Sequence, residues 1–326
     1  MLARPARARR FEVPKLSSRF AAIWVALGLM LVFGKIFLPR STDVSTILSV
    51  LPFAAFLTIA AMGQAIVVMA RGIDLSVPAI VALSSAVLLG VSGGSDDRLW
   101  LAIGAAILVA ILVGAVNGVL IAVFKLNALI VTLAVGAIVT GIAIWYRQSV
   151  AAESNVPATL ADFGSARVLG LPTSVLLALL LTLLLAVLMR NTIVGRRFEA
   201  VGANPLAAYA TGVAIMRYQA GAFVVAGGLY GIMAVLLSAF IRNPTLDVGT
   251  PYLLAPIAAA VLGGTAIGGG IGSMVAVAGA SIFLVQLDQS LKMLGMPTSW
   301  QLIIQGLAIA MGMWLSEATA KGGRTR

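Results

Sequence analysis

Residues 99–124 read LWLAIGAAILVAILVGAVNGVLIAVF, with no charged side chain and one strongly polar one, Asn117. About 20 apolar residues wound as helix cross a bilayer core of about 30 Å. Helix is the state that lipid permits, because open backbone groups find no hydrogen-bond partner there. Nine further runs meet the same test, near 20–38, 46–69, 75–92, 128–146, 173–189, 218–241, 251–264, 272–291 and 300–316. The reading is an all-α polytopic membrane protein with about ten transmembrane helices.

Composition agrees. The 326 residues are 61% hydrophobic and 10% charged, with a mean hydropathy of +1.08. Soluble domains carry about 25% charged residues, so a soluble enzyme, a disordered chain and a nucleic-acid binder are all excluded. The net charge of +11 is spread over loops rather than gathered in one patch. The chain has no His and no Cys, hence no imidazole base, no thiolate and no metal site built from either. None of its lysines ends a G-x-x-x-x-G-K-[ST] pattern, so the chain has no P-loop of its own.

Residues 1–19 are basic and precede a run that is long for a signal peptide, carries Trp24 and lacks an A-x-A cleavage pattern. They read as a cytoplasmic tail before a retained first span. The rest of the chain is then a single transmembrane domain over 20–316, with a cytoplasmic tail at 317–326. Ten spans put both termini on one side. With that side cytoplasmic, fifteen Lys and Arg lie inside and seven outside, as the positive-inside rule requires. Two loops are long. The outer one, 147–172, holds Glu153, Asp162 and Arg167; the inner one is 190–217.

The inner loop reads NTIVGRRFEAVGANPLAAYATGVAIMRY over 191–218. Asn204 before Pro205 is a helix start, and Gly212 is placed to end that helix in the left-handed conformation. Arg196, Arg197 and Glu199 precede it. The small Ala207 and Ala208 would let a partner approach closely. Two readings stay open at this level: an interfacial helix on lipid head groups, or a docking element for a cytoplasmic protein.

Two turns carry structural signals. In GQAIVVMARGIDLSVPA at 63–79, Arg71, Gly72 and Asp74 make an inner turn, and Asp74 with Ser76 suits capping of the next helix. In VLGGTAIGGGIGS at 261–273, Gly263, Gly264, Gly268 and Gly270 suggest a broken re-entrant turn facing protein or a pathway. Gly264 and Gly268 also make a G-x-x-x-G, a weak sign of helix packing. The polar residues inside the spans are Gln64, Asn117, Gln286, Gln289 and Gln305. Each can serve as an interhelical hydrogen bond, worth about 1 kcal/mol or less; as a set they suit a path for a neutral polar solute. Asp74 and Asp288 read as lying near span ends, so no clear membrane-buried carboxylate is expected.

A weak internal repeat is visible. KLNALIVTLAVGAIVTGIA at 125–143 resembles MPTSWQLIIQGLAIAMG at 296–312, and the turns at 72–76 and 264–272 are matched to each other. Spans 2–5 and 7–10 are then two halves of inverted topology, a transporter pattern.

The stretches GIDLSV at 72–77, VNGVLIAVFKLNALIVTLAVGAIVTG at 116–141, VGRRFEAVGANPLAAYATGV at 194–213 and LLAPIAAAVLGGTAIGGGIGS at 253–273 together resemble the permease subunits of ribose-type sugar ABC importers. The family includes permeases for ribose, xylose, galactose, fructose and autoinducer-2, and the resemblance covers about residues 46–316. It implies a subunit of the bacterial inner membrane that works beside a second permease subunit, in a homodimer or a heterodimer. A periplasmic solute-binding protein would deliver solute, and a cytoplasmic ABC ATPase subunit would supply energy. ATP and Mg would sit on the ATPase, with no cofactor and no metal on this chain. Glu199, Ala200, Gly202, Asn204, Pro205, Ala207, Ala208 and Gly212 match the family's ATPase-facing loop, so the resemblance implies a coupling helix at 205–211. There are departures. Family members often read Gly-Gly-Ile-Asp-Leu-Ser-Val-Gly where Arg71 and Pro78 replace the first and last glycines, and Ala65 stands where Thr is common. Arg71 is expected to make an inner ion pair or to reach lipid phosphates.

Three other readings compete. A branched-chain amino-acid permease would want groups for a carboxylate and an amine. An ion-coupled carrier would want intramembrane carboxylates. A membrane enzyme would want a catalytic set that the chain lacks.

Overall fold

The computed structural model describes residues 18–150, 155–297, 299–301, 303, 304, 306, 307 and 310. Twelve helices run through it: α1 Ser18–Phe37, α2 Val44–Met69, α3 Val77–Ser92, α4 Leu99–Ala122, α5 Ala128–Gln148, α6 Ala158–Ser165, α7 Thr173–Asn191, α8 Ile193–Ala203, α9 Pro205–Ala210, α10 Ile215–Ile241, α11 Ala255–Leu262 and α12 Met274–Met293. The strands among the described residues are a two-residue pair, β1 Arg167–Val168 and β2 Leu171–Pro172, forming an antiparallel hairpin. The all-α polytopic class holds.

Seven of these helices, α1, α2, α4, α5, α7, α10 and α12, are long and apolar enough to cross a membrane. The runs at 75–92 and 251–264 become helices of 16 and 8 residues, about 24 and 12 Å long, short of the roughly 30 Å of a bilayer core. Their remaining residues are 3-10, turn or irregular backbone, with Ser76, Tyr252, Gly263 and Gly264 buried and Leu253 and Leu254 exposed. The tenth run, the tail before residue 18, Glu153 and residues 317–326 lie wholly or largely outside the described residues. The outer loop contains α6 and the hairpin. Thr159 N–H donates to Asp96 Oδ1 (3.0 Å) and Val156 N–H to the Arg242 carbonyl (2.9 Å), so this loop is fastened over the ends of α3 and α10.

Helix α2 is the axis of the molecule, and every residue from Ala54 to Met69 is buried. α10, α11, α12 and α7 pack around it. The closest helix pair is α4 against α10. A Cβ on Gly227 would stand 2.5 Å from the Ala110 carbonyl oxygen, and one on Gly118 would stand 2.7 Å from that of Ala220. In lipid, where apolar side chains gain little by leaving their surroundings, such small-residue contacts let dispersion hold two helices together.

The repeat is corrected in one respect. Just past their ends, α2 and α10 each turn at an arginine with positive φ, Arg71 with 68° and Arg242 with 71°. Each is followed by backbone that leaves the α-helix, irregular after Arg71 and largely 3-10 over Leu246–Tyr252 after Arg242, and then by a short helix, α3 or α11. The counterpart of the 72–76 turn is therefore the 242–254 segment rather than the glycine turn at 264–272. The two broken segments touch, with Gly249 seated on the Pro78 backbone. Gly264 and Gly268 both lie in a turn, and Gly268 faces open space, so their spacing is not a helix-packing motif.

The α4–α10 contact predicts a graded mutational response. Gly227→Val should cost about 2 kcal/mol or more, because the new side chain meets backbone that cannot step aside. Gly228→Val, whose Cβ meets only the Ile111 side chain at 3.5 Å, should be close to neutral. Thermal unfolding of the detergent-solubilised chain checks this; equal losses would mean that the two helices do not touch at Gly227.

Candidate functional site

The loop between α7 and α10 folds as two helices, not one. Sequence reading gave residues 192–203 no helix, yet they form α8, capped by Thr192, whose Oγ1 accepts from Gly195 N–H at 3.1 Å. Its buried face is Gly195, Phe198, Val201 and Gly202, a helical spacing readable in the sequence. Arg196, Arg197 and Ala200 are exposed on the other face, and Glu199 is half-buried.

α9 follows at once. Asn204 Oδ1 accepts from Ala207 N–H (3.1 Å), with Pro205 as the first helical residue. The helix stops at Gly212, φ 79°, with the Gly212 N–H donating to the Tyr209 carbonyl and the Val213 N–H to the Ala208 carbonyl. Both ends match the sequence expectation. Six residues form a helix only when held from outside, and Ala208 is the one buried member. Leu206 is 82% exposed and Tyr209 72%. Ala207 is exposed as well. A short capped helix thus offers two apolar side chains outward. Cavities of about 560 Å³ and 990 Å³ lie on either side of this loop.

The loop is fixed to the membrane helices at one junction. Arg71 Nε donates to the Gly202 carbonyl and its guanidinium NH2 to the Ala203 carbonyl, each at 2.6 Å. These are the last carbonyls of α8, which lack helical partners and lie at the negative end of its dipole. The glycine turn closes the junction, with Gly270 N–H donating to the Met69 carbonyl at 2.9 Å. A Cβ on Gly202 would stand 2.5 Å from Gly270 N, and one on Gly270 would stand 2.5 Å from Ala203 N. The ends of α2 and α8 and the turn between α11 and α12 therefore meet backbone to backbone. Gly263 plays a similar part at the base of this turn, where a Cβ would meet the Val277 backbone at 2.7 Å. Arg71 makes no ion pair among the described residues, and two of its donors go to backbone carbonyls. It is the C-terminal clamp of α8, sitting where the chain turns left-handed and a glycine would be unstrained.

A second constellation lies behind the junction. Gly72 and the residues after it turn back along α2, so Asp74 comes to lie beside Gln64, five residues before the helix end and about 7.5 Å along it. With its amide turned to suit its neighbours, Gln64 donates to the Asp74 carbonyl and to Tyr230 Oη, and accepts from Asp74 N–H, each at 3.1 Å. Asp74 Oδ1 accepts from Ser76 N–H (2.9 Å) and Ser76 Oγ (2.5 Å), and Ser76 Oγ accepts from Asn117 Nδ2 (2.9 Å). Thr132 Oγ1 accepts from Leu75 N–H (3.1 Å). Helices α2, α4, α5 and α10 are thereby tied to one turn. Asp74 is fully buried, deeper than the span-end place read from the sequence. Its Oδ2 and Asn117 Oδ1 have no hydrogen-bond partner among the described residues.

The polar residues read as one set are thus divided. Gln64 and Asn117 share this network. Gln286 lies elsewhere, donating from Nε2 to the Ser41 carbonyl at 2.9 Å. Gln289 is half-buried, further along α12. Gln305 lies outside the described residues. Sequence reading missed Tyr230 and Thr132, which carry no motif, and no group of three or more potential ligand side chains able to hold a metal occurs among the described residues.

The family model described as "Branched-chain amino acid transport system / permease component" matches residues 46–311. The chain is similar to the ribose import permease protein RbsC of Bacillus subtilis (strain 168), 30% identical over 90% of this chain and 91% of the relative. The RbsC of Escherichia coli (strain K12) is 28% identical over 89% and 91%. The autoinducer 2 import system permease protein LsrC of Salmonella typhimurium (strain LT2) is 31% identical over 90% and 84%. No solved structure matches the chain.

Two outcomes follow from the junction. Arg71→Ala keeps the left-handed turn on a residue with a Cβ and removes both hydrogen bonds. Arg71→Gly removes the same bonds but relieves the turn, by about 1 kcal/mol. Melting temperatures should fall in the order wild type, Arg71→Gly, Arg71→Ala; the reverse order for the two variants would show that the turn is not left-handed. Burial pushes the Glu199 carboxyl above its ordinary value. A raised acid is a penalty once ionised, absent when both states are protonated and complete above the folded value. Glu199→Gln should therefore stabilise the isolated chain slightly at pH 8 and leave it unchanged near pH 4, read as melting temperature against pH.

Proposed function

Because the chain belongs to the branched-chain amino acid transport system permease component family, we propose that it is the membrane-spanning subunit of an ABC importer for a monosaccharide or a similar small polar solute. It is a multi-pass protein of the bacterial inner membrane and a transport permease by family. A separate cytoplasmic ATPase subunit, carrying ATP and Mg, docks on α9. A periplasmic binding protein delivers the solute, and a second permease subunit completes the membrane unit.

The observation that carries this reading is α9 itself. It is short, capped at both ends, exposes Leu206 and Tyr209, and stands on a loop clamped by Arg71 and the glycine turn to α2, α11 and α12. A partner pressing on α9 acts on the membrane helices rather than on a loose loop. The relatives named for ribose and autoinducer 2 support a sugar-like solute over an amino acid. The side chains agree, since Asp74 is the one buried charged residue among those described and has no buried cation to share a zwitterion with it. In transport, Gln64 and Asn117 belong to the network that alternating access has to rearrange. Their neighbours Asp74 Oδ2 and Asn117 Oδ1 are acceptors that hydroxyl groups or water would satisfy in another state.

Affinity purification of the tagged chain from native membranes tests the assembly. A stoichiometric ATPase should co-purify with wild type. It should be lost or much reduced with Leu206→Asp/Tyr209→Asp, whose melting temperature should match that of the isolated wild-type chain. If the variant holds the ATPase and transports normally, α9 is not the docking element. If wild type comes out alone and moves solute in liposomes along an ion gradient, the importer reading fails.

A further inference from the structure

The smaller cavity beside the coupling loop has a chemistry that solute transport does not use. It fills the gap between α8 and α10, since α8 leans mainly on α7. Ile66, Leu185, Phe198 and Ala222 form its buried inner wall. Leu188, Val194 and Val225 line it while remaining 37%, 55% and 46% exposed, so it opens sideways, toward the surroundings of α7 and α10. Its polar lining includes two cations, Arg197 of α8 and Arg217 in the first turn of α10. Both are exposed, and neither forms a salt bridge among the described residues.

The dimensions are those of one leaflet. From Arg217 to Val225 the cavity follows α10 for eight residues, about 12 Å, against about 15 Å for half of a bilayer core. The occupant must be apolar over most of that length, anionic at one end, and able to enter from the side. A soluble anion meets only the last requirement but one. A neutral lipid leaves both guanidinium groups without a counter-charge. We propose that this cavity binds one anionic phospholipid of the inner leaflet, its phosphate held by Arg197 and Arg217 and an acyl chain lying along α10 between Leu185 and Ala222. Arginine suits this role because its planar donors match phosphate oxygens and it sheds water more readily than an ammonium. The lipid would wedge between α8 and α10, the two elements that flank α9, so its presence sets how firmly the loop is braced on the α10 side. The site goes beyond the transport reading and does not depend on which solute is carried.

The full chain, purified in a neutral detergent, is titrated with phosphatidylglycerol or with phosphatidylcholine of the same acyl chains, and bound lipid is counted by native mass spectrometry. Wild type should retain one phosphatidylglycerol with a preference of about tenfold over phosphatidylcholine, as expected of two charge-assisted contacts at a partly wet site. Arg197→Gln/Arg217→Gln should reduce that preference to within twofold without changing the melting temperature of the lipid-free chain, and Arg197→Lys/Arg217→Lys should keep part of it. Inorganic phosphate at millimolar concentration should not displace the lipid. Equal retention of the two lipids by wild type overturns the proposal, as does a preference that survives in the double glutamine variant. Displacement by inorganic phosphate alone would make this a soluble-anion site instead. None of these readouts requires the ATPase, so the lipid site can fail while the importer reading stands, and the reverse.

Discussion

Three backbones meet where no side chain fits. Met69 at the end of α2, Gly202 at the end of α8 and Gly270 in the turn before α12 approach until Gly270 N–H bonds the Met69 carbonyl and a single methyl group would break the contact. This is where the loop bearing α9 is held against the membrane helices α2 and α12. The loop that bears α9 is otherwise slight, an eleven-residue helix that sets Phe198 into the core and a six-residue helix with one buried residue. Close backbone contact removes the slack that interposed side chains would allow, and Arg71 adds two directed bonds at the same place. The arginine accepts a left-handed turn to reach them, an exchange of about 1 kcal/mol of strain for two charge-assisted hydrogen bonds on otherwise orphaned carbonyls.

The buried network around Asp74 obeys a different constraint. A carboxylate away from water must be hydrogen-bonded or it is costly, and here one turn collects donors from Ser76 while Gln64 pairs with its backbone as a neighbouring strand would. The result joins α2, α4, α5 and α10 through polar contacts that have a definite geometry, unlike the small-residue packing that joins α4 to α10 by shape alone. Shape contacts tolerate sliding, whereas a fully shared hydrogen-bond network has few intermediate arrangements. Two of its acceptors, Asp74 Oδ2 and Asn117 Oδ1, are left without donors among the described residues, so the network is a polar feature of the core with hydrogen-bonding capacity to spare.

Much of the architecture was legible from apolar run length, because lipid leaves the backbone few options. The caps of α9 were legible too, since Asn204-Pro205 and Gly212 are local signals that need no tertiary knowledge. What was not legible depended on packing at a distance. α8 has a helical burial pattern, but four apolar or small positions in a basic stretch look like a solvated loop until Gly202 is known to meet Gly270. Gly264 and Gly268 mimic a helix-packing motif because spacing alone cannot say whether the chain between them is helical. Asp74 was placed at a span end because residue counts measure distance along the chain, and this chain doubles back along α2. The repeat was seen, but the 72–76 turn was matched to the glycine turn; the positive-φ arginines at 71 and 242, invisible in composition, identify the correct partners.

The same geometry decides how a push on α9 must travel. α9 is joined covalently to α8 and to α10, but only α8 ends in the locked junction. On the α10 side the chain runs from Gly212 through Val213 and Ala214, and cavities of about 560 and 990 Å³ adjoin that stretch. One side of the loop is therefore stiff and the other compliant. If an ATPase docks on α9 as proposed, a displacement of α9 toward the membrane would reach α2 and the α11–α12 turn through the junction at the end of α8, and would reach α10 through the chain from Gly212 to Ala214. Stiffness on the compliant side belongs to whatever occupies the gap between α8 and α10. A rigid occupant would make α10 move with α8, and α10 carries Tyr230 and so bears directly on the Asp74 network. Whether the two halves of the molecule respond together or in sequence is then a property of the packing beside α10 as much as of α9 itself.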